Sequence, residues 1–395
     1  MTERERGILA VNAGSSSLKL GLYALGTEGL EHRARIAVSG IGEAPRFQAS
    51  GPPEGGTERE LDPSTTHVSA LRESLDWIRR TIPSLELVGA GHRVVHGGTR
   101  FVQPTRITPE MLDELREFND LAPLHEPHNI RAIEALTTAA PELAQVACFD
   151  TAFHGTITGP AATFALPRSL TEGAVRRYGF HGLSYDYIAS VLRQYLGEAA
   201  AGRVIVAHLG HGASMCAMRA GMSIATTMSM TPLDGLPMGT RSGQVDPGVI
   251  LYLQTTLGMT AEEVTHLLYY ESGLLGMSGV SAYMDVLLAS EQPHAAEAVD
   301  YFVYACAGTI GALAAALGGL DAIVFTAGIG EHSPEIRRRI LGASSWLGIE
   351  VDDRANAAHG SRISMAGSSV SCWVIPTDEE IVVARQAAGV LFPAP

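Results

Sequence analysis

Short apolar runs alternate with glycine-bearing turns and amphipathic stretches, the pattern of an α/β chain. Residues 8–11 are uninterrupted apolar and predict a buried strand; 12–17 predict a turn and 18–25 a second strand. Residues 71–82 carry apolar side chains at helical spacing. Residues 85–95 contain a strand leading into His96-Gly97-Gly98, and 145–149 predict another that ends at Asp150. Residues 40–63 are rich in Gly, Pro and Glu and predict an exposed excursion with no chemistry.

The opening pattern returns half a chain later. Residues 204–214 can be laid over 8–17: in both, an apolar strand runs into a glycine-bearing turn and then a second strand. A third apolar strand, 322–325, ends in Thr326-Ala327-Gly328-Ile329-Gly330-Glu331. The repeat predicts two similarly built domains facing each other, with turns whose backbone N–H groups suit a polyphosphate. Residues 301–320 carry no charge but are rich in Ala and Gly, and no Lys or Arg flanks them. They predict a tightly packed helix rather than a membrane span, and a candidate subunit contact.

A length of 395 residues is enough for two domains, 1–150 and 151–379, with 380–395 completing the first. The net charge of −14 argues against nucleic acid and anionic membranes as partners. An anionic substrate must then be held by a few local cations, which makes arginines inside motifs informative. Cys148, Cys216, Cys306 and Cys372 form no CxxC pair and lie in apolar runs, so buried thiols in a reducing compartment are expected. The charged start, MTERERG, has no apolar segment of a signal peptide, and a cytoplasmic location is expected.

The segments NAGSSSLK (12–19), HRVVHGG (92–98), LAPLH (121–125), FDTAFH (149–154) and RRYGFHG (176–182) occur in this order. They continue with HLGHGAS (208–214), TPLDGLPMGTRSG (231–243), ESGLLGMSG (271–279), FTAGIGE (325–331) and PTDEE (376–380). Together they span nearly the whole chain, and the pattern resembles the acetate kinase family. The resemblance implies an α/β fold of two duplicated actin-like (ribonuclease H-like) domains with the active site in the cleft between them. It implies phosphoryl transfer between ATP and a short carboxylic acid such as acetate, and a homodimer.

Such an acid is already ionised at neutral pH and needs no general base. The difficulty is bringing two anions in line and balancing charge on the phosphoryl group, so catalysis should rest on positioning and cations. The resemblance points to Arg93 and Arg241 as guanidinium forks for oxyanions. It points to His181 as a donor to a phosphoryl oxygen, and to Asp150 as essential. Asp150 is expected to orient an arginine or the hydrated metal. Asn12 and Glu379 are implied ligands for Mg²⁺ (or Mn²⁺), with Glu380 the competing choice. Ser15, Ser17 and Lys19 of the first hairpin would face phosphate. The nucleotide loops would comprise His208, Leu209, Gly210, His211 and Gly212, then Tyr283, Met284 and Asp285, then Gly328, Ile329, Gly330, Glu331 and His332. The acyl group would meet Val95, Leu124, Phe180 and Pro232.

The chain departs from the family pattern at named places. His211 stands for Asn, Glu126 for Asn, Gln244 for Asp and His332 for Asn; Leu183 and Tyr185 also differ, and Tyr283-Met284-Asp285 lacks an arginine. Most of these changes surround the nucleotide. Glu126 is expected to add negative charge near an anion site. A metal cluster of His125, Glu126 and His128 is disfavoured, because the run is short and broken by Pro127. Propionate or butyrate kinase, a pyrophosphate-dependent enzyme, and a non-catalytic nucleotide-binding homologue remain as alternatives.

Overall fold

The computed structural model describes residues 4–27, 29–51, 56–119, 122 and 125–393. The chain divides into two units, Met1–Ala152 with Asp378–Pro395, and Phe153–Thr377. The first is built on strands β1 (Glu5–Ala13), β2 (Ser17–Gly26), β3 (Gly29–Ser39), β4 (Arg46–Ser50), β5 (Thr57–Glu60), β6 (Leu85–Val94), β7 (Thr105–Arg106) and β8 (Gln145–Phe149). Among the described residues these form one sheet in the order β5-β4-β3-β2-β1-β6-β8-β7. The second unit carries β9 (Arg203–Leu209), β10 (Ala213–Arg219), β11 (Met222–Thr226), β12 (Ala322–Thr326) and β13 (Ser371–Val374), in the order β11-β10-β9-β12-β13.

Five strands of each sheet share one plan. In β3-β2-β1-β6-β8 the first three pair antiparallel, while β1, β6 and β8 run parallel. In β11-β10-β9-β12-β13 the same directions recur. The repeat seen in the sequence is therefore a repeat of topology. Ile8, Leu9, Ala10 and Val11 are buried in succession because both faces of β1 are covered. Nearer the edge, Ala34, Ile36 and Val38 alternate with more exposed residues on β3, so that strand buries one face.

Residues 40–63 correct the sequence reading, since they contain two strands rather than a bare excursion. In Arg46–Ser50, Phe47 and Ala49 are buried between exposed neighbours. A five-residue alternation is short enough to be masked by the Gly and Pro around it. The first helix, α1 (His67–Thr81), begins four residues earlier than expected, because Thr66 and Ser69 form a capping box. It is followed by α2 (Pro109–Arg116) and α3 (Glu126–Ala139).

In the first unit the C-terminal helix, Glu379–Leu391, packs on β1, β6 and β8. Gly91 makes this possible: a Cβ there would lie 2.8 Å from the Val383 carbonyl oxygen. In the second unit the helix Pro293–Leu317 contains most of the uncharged segment. It buries Phe302, Cys306, Ile310 and Leu317 along one side, while Tyr304 on the other is 76% exposed. It is long and apolar enough to cross a membrane, yet it lays one side against the core of its unit. All four cysteines are buried thiols.

Candidate functional site

The first unit gathers Asn12, Arg93 and Asp150 from strand ends and Glu379 from the start of the C-terminal helix. Parallel pairing sets Val94 beside Phe149, so Asp150 emerges next to Arg93. The Asp150 N–H donates to the Val94 carbonyl at 2.9 Å, fixing its backbone. Arg93 Nη2 donates to Asp150 at 2.7 Å and Nε lies 3.2 Å from both carboxylate oxygens. Its Nη1 is 3.2 Å from Glu379. Burial works against the guanidinium charge, but Asp150 and then Glu379 more than offset it, so the pKa of Arg93 is raised.

Glu379 and Glu380 start the same helix but diverge: Glu380 pairs with Arg35 at 2.9 Å. Asn12, Arg93, Glu379 and Glu380 line a cavity of about 10 Å³, water-sized at most. The donors there are amide and carboxylate oxygens, the set a hard cation takes. Asn12 and Glu379 therefore fit the implied magnesium, with water supplying further ligands. Among the described residues no group of three or more His, Cys, Asp or Glu side chains is placed to hold a metal, His125, Glu126 and His128 included.

Four consecutive loop N–H groups after β6 are held by side chains. Val95 donates to Asn129 at 3.0 Å, His96 to Glu126 at 3.2 Å, Gly97 to Thr151 at 3.1 Å and Gly98 to His96 Nδ1 at 2.8 Å. Asn129 also reaches the Ala13 carbonyl at 3.4 Å, and His67 Nε2 lies 3.0 Å from the Gly14 carbonyl, so the first hairpin is anchored too. Ser15 and Lys19 are exposed and Ser17 is half-buried. Asn129 and Thr151 escaped the sequence reading; the available signal was a polar residue on the apolar side of α3, between Glu126 and Ile133. The expected negative charge at Glu126 is corrected. Burial, with Asp150 adding to it, outweighs the His96 hydrogen bond and pushes its pKa up to about 8. Its surroundings favour the uncharged carboxylic acid.

The second unit gathers His181, Arg241 and the remaining loops. His181 has a left-handed backbone, φ 56°, immediately before the helix Gly182–Leu196. A non-glycine residue there stores strain that the surrounding contacts must hold. Its Nδ1 is 2.8 Å from Ser214 Oγ, and its ring stacks on His208 with centroids 4.2 Å apart. His208 Nδ1 is 2.8 Å from Ser184 Oγ, which is 2.9 Å from Thr377 Oγ1. The Thr377 N–H donates to Glu331 at 3.1 Å, and Glu331 also accepts from Ala327 N–H at 2.8 Å. A polar chain thus runs from the helix Ala327–His332, where the sequence pattern predicts a turn, to His208. Arg241 Nη1 donates to the Pro232 carbonyl at 2.7 Å. Gly212 lies beside both side chains: a Cβ there would lie 2.8 Å from Arg241 Nη2 and 3.2 Å from His181 Nε2.

Gly210, His211, Tyr283, Met284, Asp285, Gly328, Ile329 and His332 line one cavity of about 690 Å³ in this unit. Leu209 and Gly330 are buried near it, and His208, Gly212 and Glu331 are not part of its wall. His211 and Tyr283 meet edge to face at 5.6 Å. Burial first, then the charge of Arg241, lowers the His211 pKa. Val95, Phe180 and Pro232 are buried, and Leu124 lies outside the described residues.

Two sheets of one strand plan, with arginine, histidine and carboxylate side chains near their strand ends, suit a phosphotransferase. The chain belongs to the acetokinase family, whose family model matches residues 7–385. It is similar to the acetate kinase of Rhodopseudomonas palustris, at 53% identity over 385 residues, 96% of each chain. Among solved structures it is similar to a propionate kinase from Francisella tularensis, with a TM-score of 0.90 at 34% identity, covering 97% of this chain and 99% of that one. It is also similar to Porphyromonas gingivalis acetate kinase, with a TM-score of 0.85 at 34% identity over 98% of this chain and all (100%) of that one.

Proposed function

We propose that this chain is an acetate kinase, catalysing reversible, Mg²⁺-dependent transfer of the γ-phosphoryl group of ATP to acetate. The observation that carries the reading is Arg93, clasped by buried Asp150 and faced by Glu379, at a cavity shared with Asn12. A guanidinium held by two carboxylates is fixed in direction, which suits it to receive a carboxylate or phosphoryl oxygen in one orientation. Asp150 has its oxygens committed to Arg93 and acts as an orienter, not as a base. The nucleophile is an ionised carboxylate and has no proton to lose.

Arg241 supplies a further positive group and His181 a further ring N–H donor, each donating to phosphoryl oxygens as charge shifts during in-line transfer. Stacking on His208 and the bond to Ser214 hold His181 in place. A magnesium ion held by Asn12, Glu379 and water would supply charge neutralisation on the phosphates. The 690 Å³ cavity is the assigned nucleotide pocket, with Tyr283, Met284 and Ile329 offering apolar contact to a base. Backbone N–H groups of the 209–213 turn and of the start of the helix Ala327–His332 are the candidate phosphate donors of this unit, and Ser15, Ser17 and Lys19 are those of the first hairpin. Buried Val95 in the first unit, and buried Phe180 and Pro232 in the second, are the candidate contacts for the acyl group. One methylene is worth about 1–3 kcal/mol in such a pocket, so propionate is the nearest competitor.

A homodimer is assigned to the second unit. The helix Pro247–Thr255 buries none of its residues although it is apolar, and Leu251 and Tyr252 are 61% and 53% exposed. Buried thiols suit a reducing cytoplasm. The decisive experiment crosses acetate, propionate and butyrate with ATP and pyrophosphate, reading acyl phosphate as hydroxamate. Acetyl phosphate formed from ATP and Mg²⁺ supports the reading. No acyl phosphate from any pair, with ATP still bound, favours a non-catalytic homologue.

A further inference from the structure

We propose that Glu126 is a positioning residue for the anionic substrate, a buried carboxyl group that holds the loop carrying Val95, next to the Arg93–Asp150 pair. The inference rests on the acid-binding role assigned to that pair. Glu126 is fully buried at the start of α3, and one oxygen accepts the His96 N–H at 3.2 Å. Its other oxygen is buried and has no hydrogen-bond partner among the described residues. An ionised carboxylate with an unsatisfied buried oxygen is costly, whereas a carboxylic acid can hold its proton there. The adjoining N–H groups of Val95 and Gly97 are held by Asn129 and Thr151, and Thr151 directly follows Asp150. The carboxyl group is thus built into the frame that sets the ends of β6 and β8.

The charged and titratable groups meeting it are His96 in the loop and Asp150 at the end of β8, with Arg93 bound to Asp150. His125 precedes it, and no other acid or base faces it from α3 among the described interactions. Burial and the Asp150 charge both oppose ionisation. Once ionised, Glu126 adds a negative charge beside Asp150, opposing an incoming carboxylate and weakening the loop frame.

The test compares wild type with Glu126→Gln, and with Glu126→Asn as a second neutral variant. The KM for acetate and the KM for ATP are measured from pH 6.5 to 9.5. In wild type the acetate KM should rise about tenfold between pH 7 and 9.5, the scale of a group titrating near the middle of that range. The ATP KM should move less than twofold, and the neutral variants should keep a flat acetate profile. Wild-type and variant profiles that rise together overturn the proposal, as does a flat wild-type profile.

Urea unfolding of the same proteins without substrate provides an independent readout. The folded-state pKa is about 8 against a usual 4.5, so the native state holds a proton the unfolded chain has lost between those values. Wild type should lose stability relative to Glu126→Gln as pH rises from 4.5 to 8, and the gap should level off above. No change in that gap overturns the carboxyl assignment. A widening gap in a protein that turns over no acid overturns the substrate role through the reading it rests on.

Discussion

Asp150 engages both Nε and Nη2 of Arg93, while its own N–H is tied to the carbonyl of Val94, the residue after Arg93. The pair is locked to two neighbouring parallel strands, so its direction is set by the sheet. Arg93→Ala should lower kcat/KM for acetate by about 10²–10³, the scale for removing one oriented donor from a transition state. Arg93→Lys should not rescue it, because an ammonium cannot reproduce the two-point contact. Steady-state kinetics with acetate and ATP check this; a lysine variant within threefold of wild type counts against an orienting fork.

Asp150→Asn tests the orienter apart from the fold. It keeps the shape but removes a charge that offsets the burial of Arg93. Turnover should fall about 10²-fold while ATP affinity stays within twofold, because the change acts on the acid and phosphoryl end. Isothermal titration with ATP and single-turnover acyl phosphate formation separate the two. Equal losses in both would move Asp150 into a general structural role.

Much of this was legible in the chain itself, and the limits are physical. The repeated apolar-strand and glycine-turn pattern anticipated two hairpins, because strands covered on both faces read as unbroken apolar runs. Asp150 stands out because it ends such a run, whereas Arg93, followed by Val94 and Val95, is singled out by the resemblance. Asn129, Thr151 and Ser184 could not be ranked that way. Their role depends on which backbone N–H or ring nitrogen lies opposite, and that is set by register and helix placement. The charge state of Glu126 was misjudged for the same reason: sequence gives the carboxyl but not its burial. Phe47 and Ala49 were missed because a strand of five residues carries too short an alternation to outweigh its flanks.

Gly212 is the third test. Its missing side chain lets His181 Nε2 and Arg241 Nη2 approach the turn, and a methyl would crowd the guanidinium at 2.8 Å. The arginine end can swing aside, so folding should survive Gly212→Ala. The displaced Arg241 should cost about tenfold to 10²-fold in kcat with acetate KM little changed. Thermal unfolding within a few degrees of wild type together with that kcat loss is the expected result. Wild-type kcat would remove the contact from the mechanism.

Metal dependence tests Asn12 and Glu379 together. Glu379→Gln keeps the volume but removes an anionic oxygen, and it also removes one of the two charges supporting Arg93. The Mg²⁺ concentration for half-maximal activity should rise about tenfold or more, the scale for removing a ligand or its close partner. Glu380→Gln should shift it less than threefold, because that carboxylate is paired with Arg35. Activity titrations with Mg²⁺ and Mn²⁺ read both variants. A larger shift for Glu380→Gln would exchange the two assignments.

The last prediction concerns assembly. Leu251 on the helix Pro247–Thr255 and Tyr304 on Pro293–Leu317 are 61% and 76% exposed, large apolar side chains with no cover in a single chain. Burying one such side chain is worth about 1.5–3 kcal/mol, and a C₂ contact counts it twice. Leu251→Glu and Tyr304→Glu should each weaken dimerisation by at least 10²-fold, since a charge at an interface core costs more than the lost area. Light scattering across a concentration series reads the effect directly. A variant that remains dimeric at nanomolar concentration would clear that side chain from the contact, and a monomeric wild type would remove the dimer altogether.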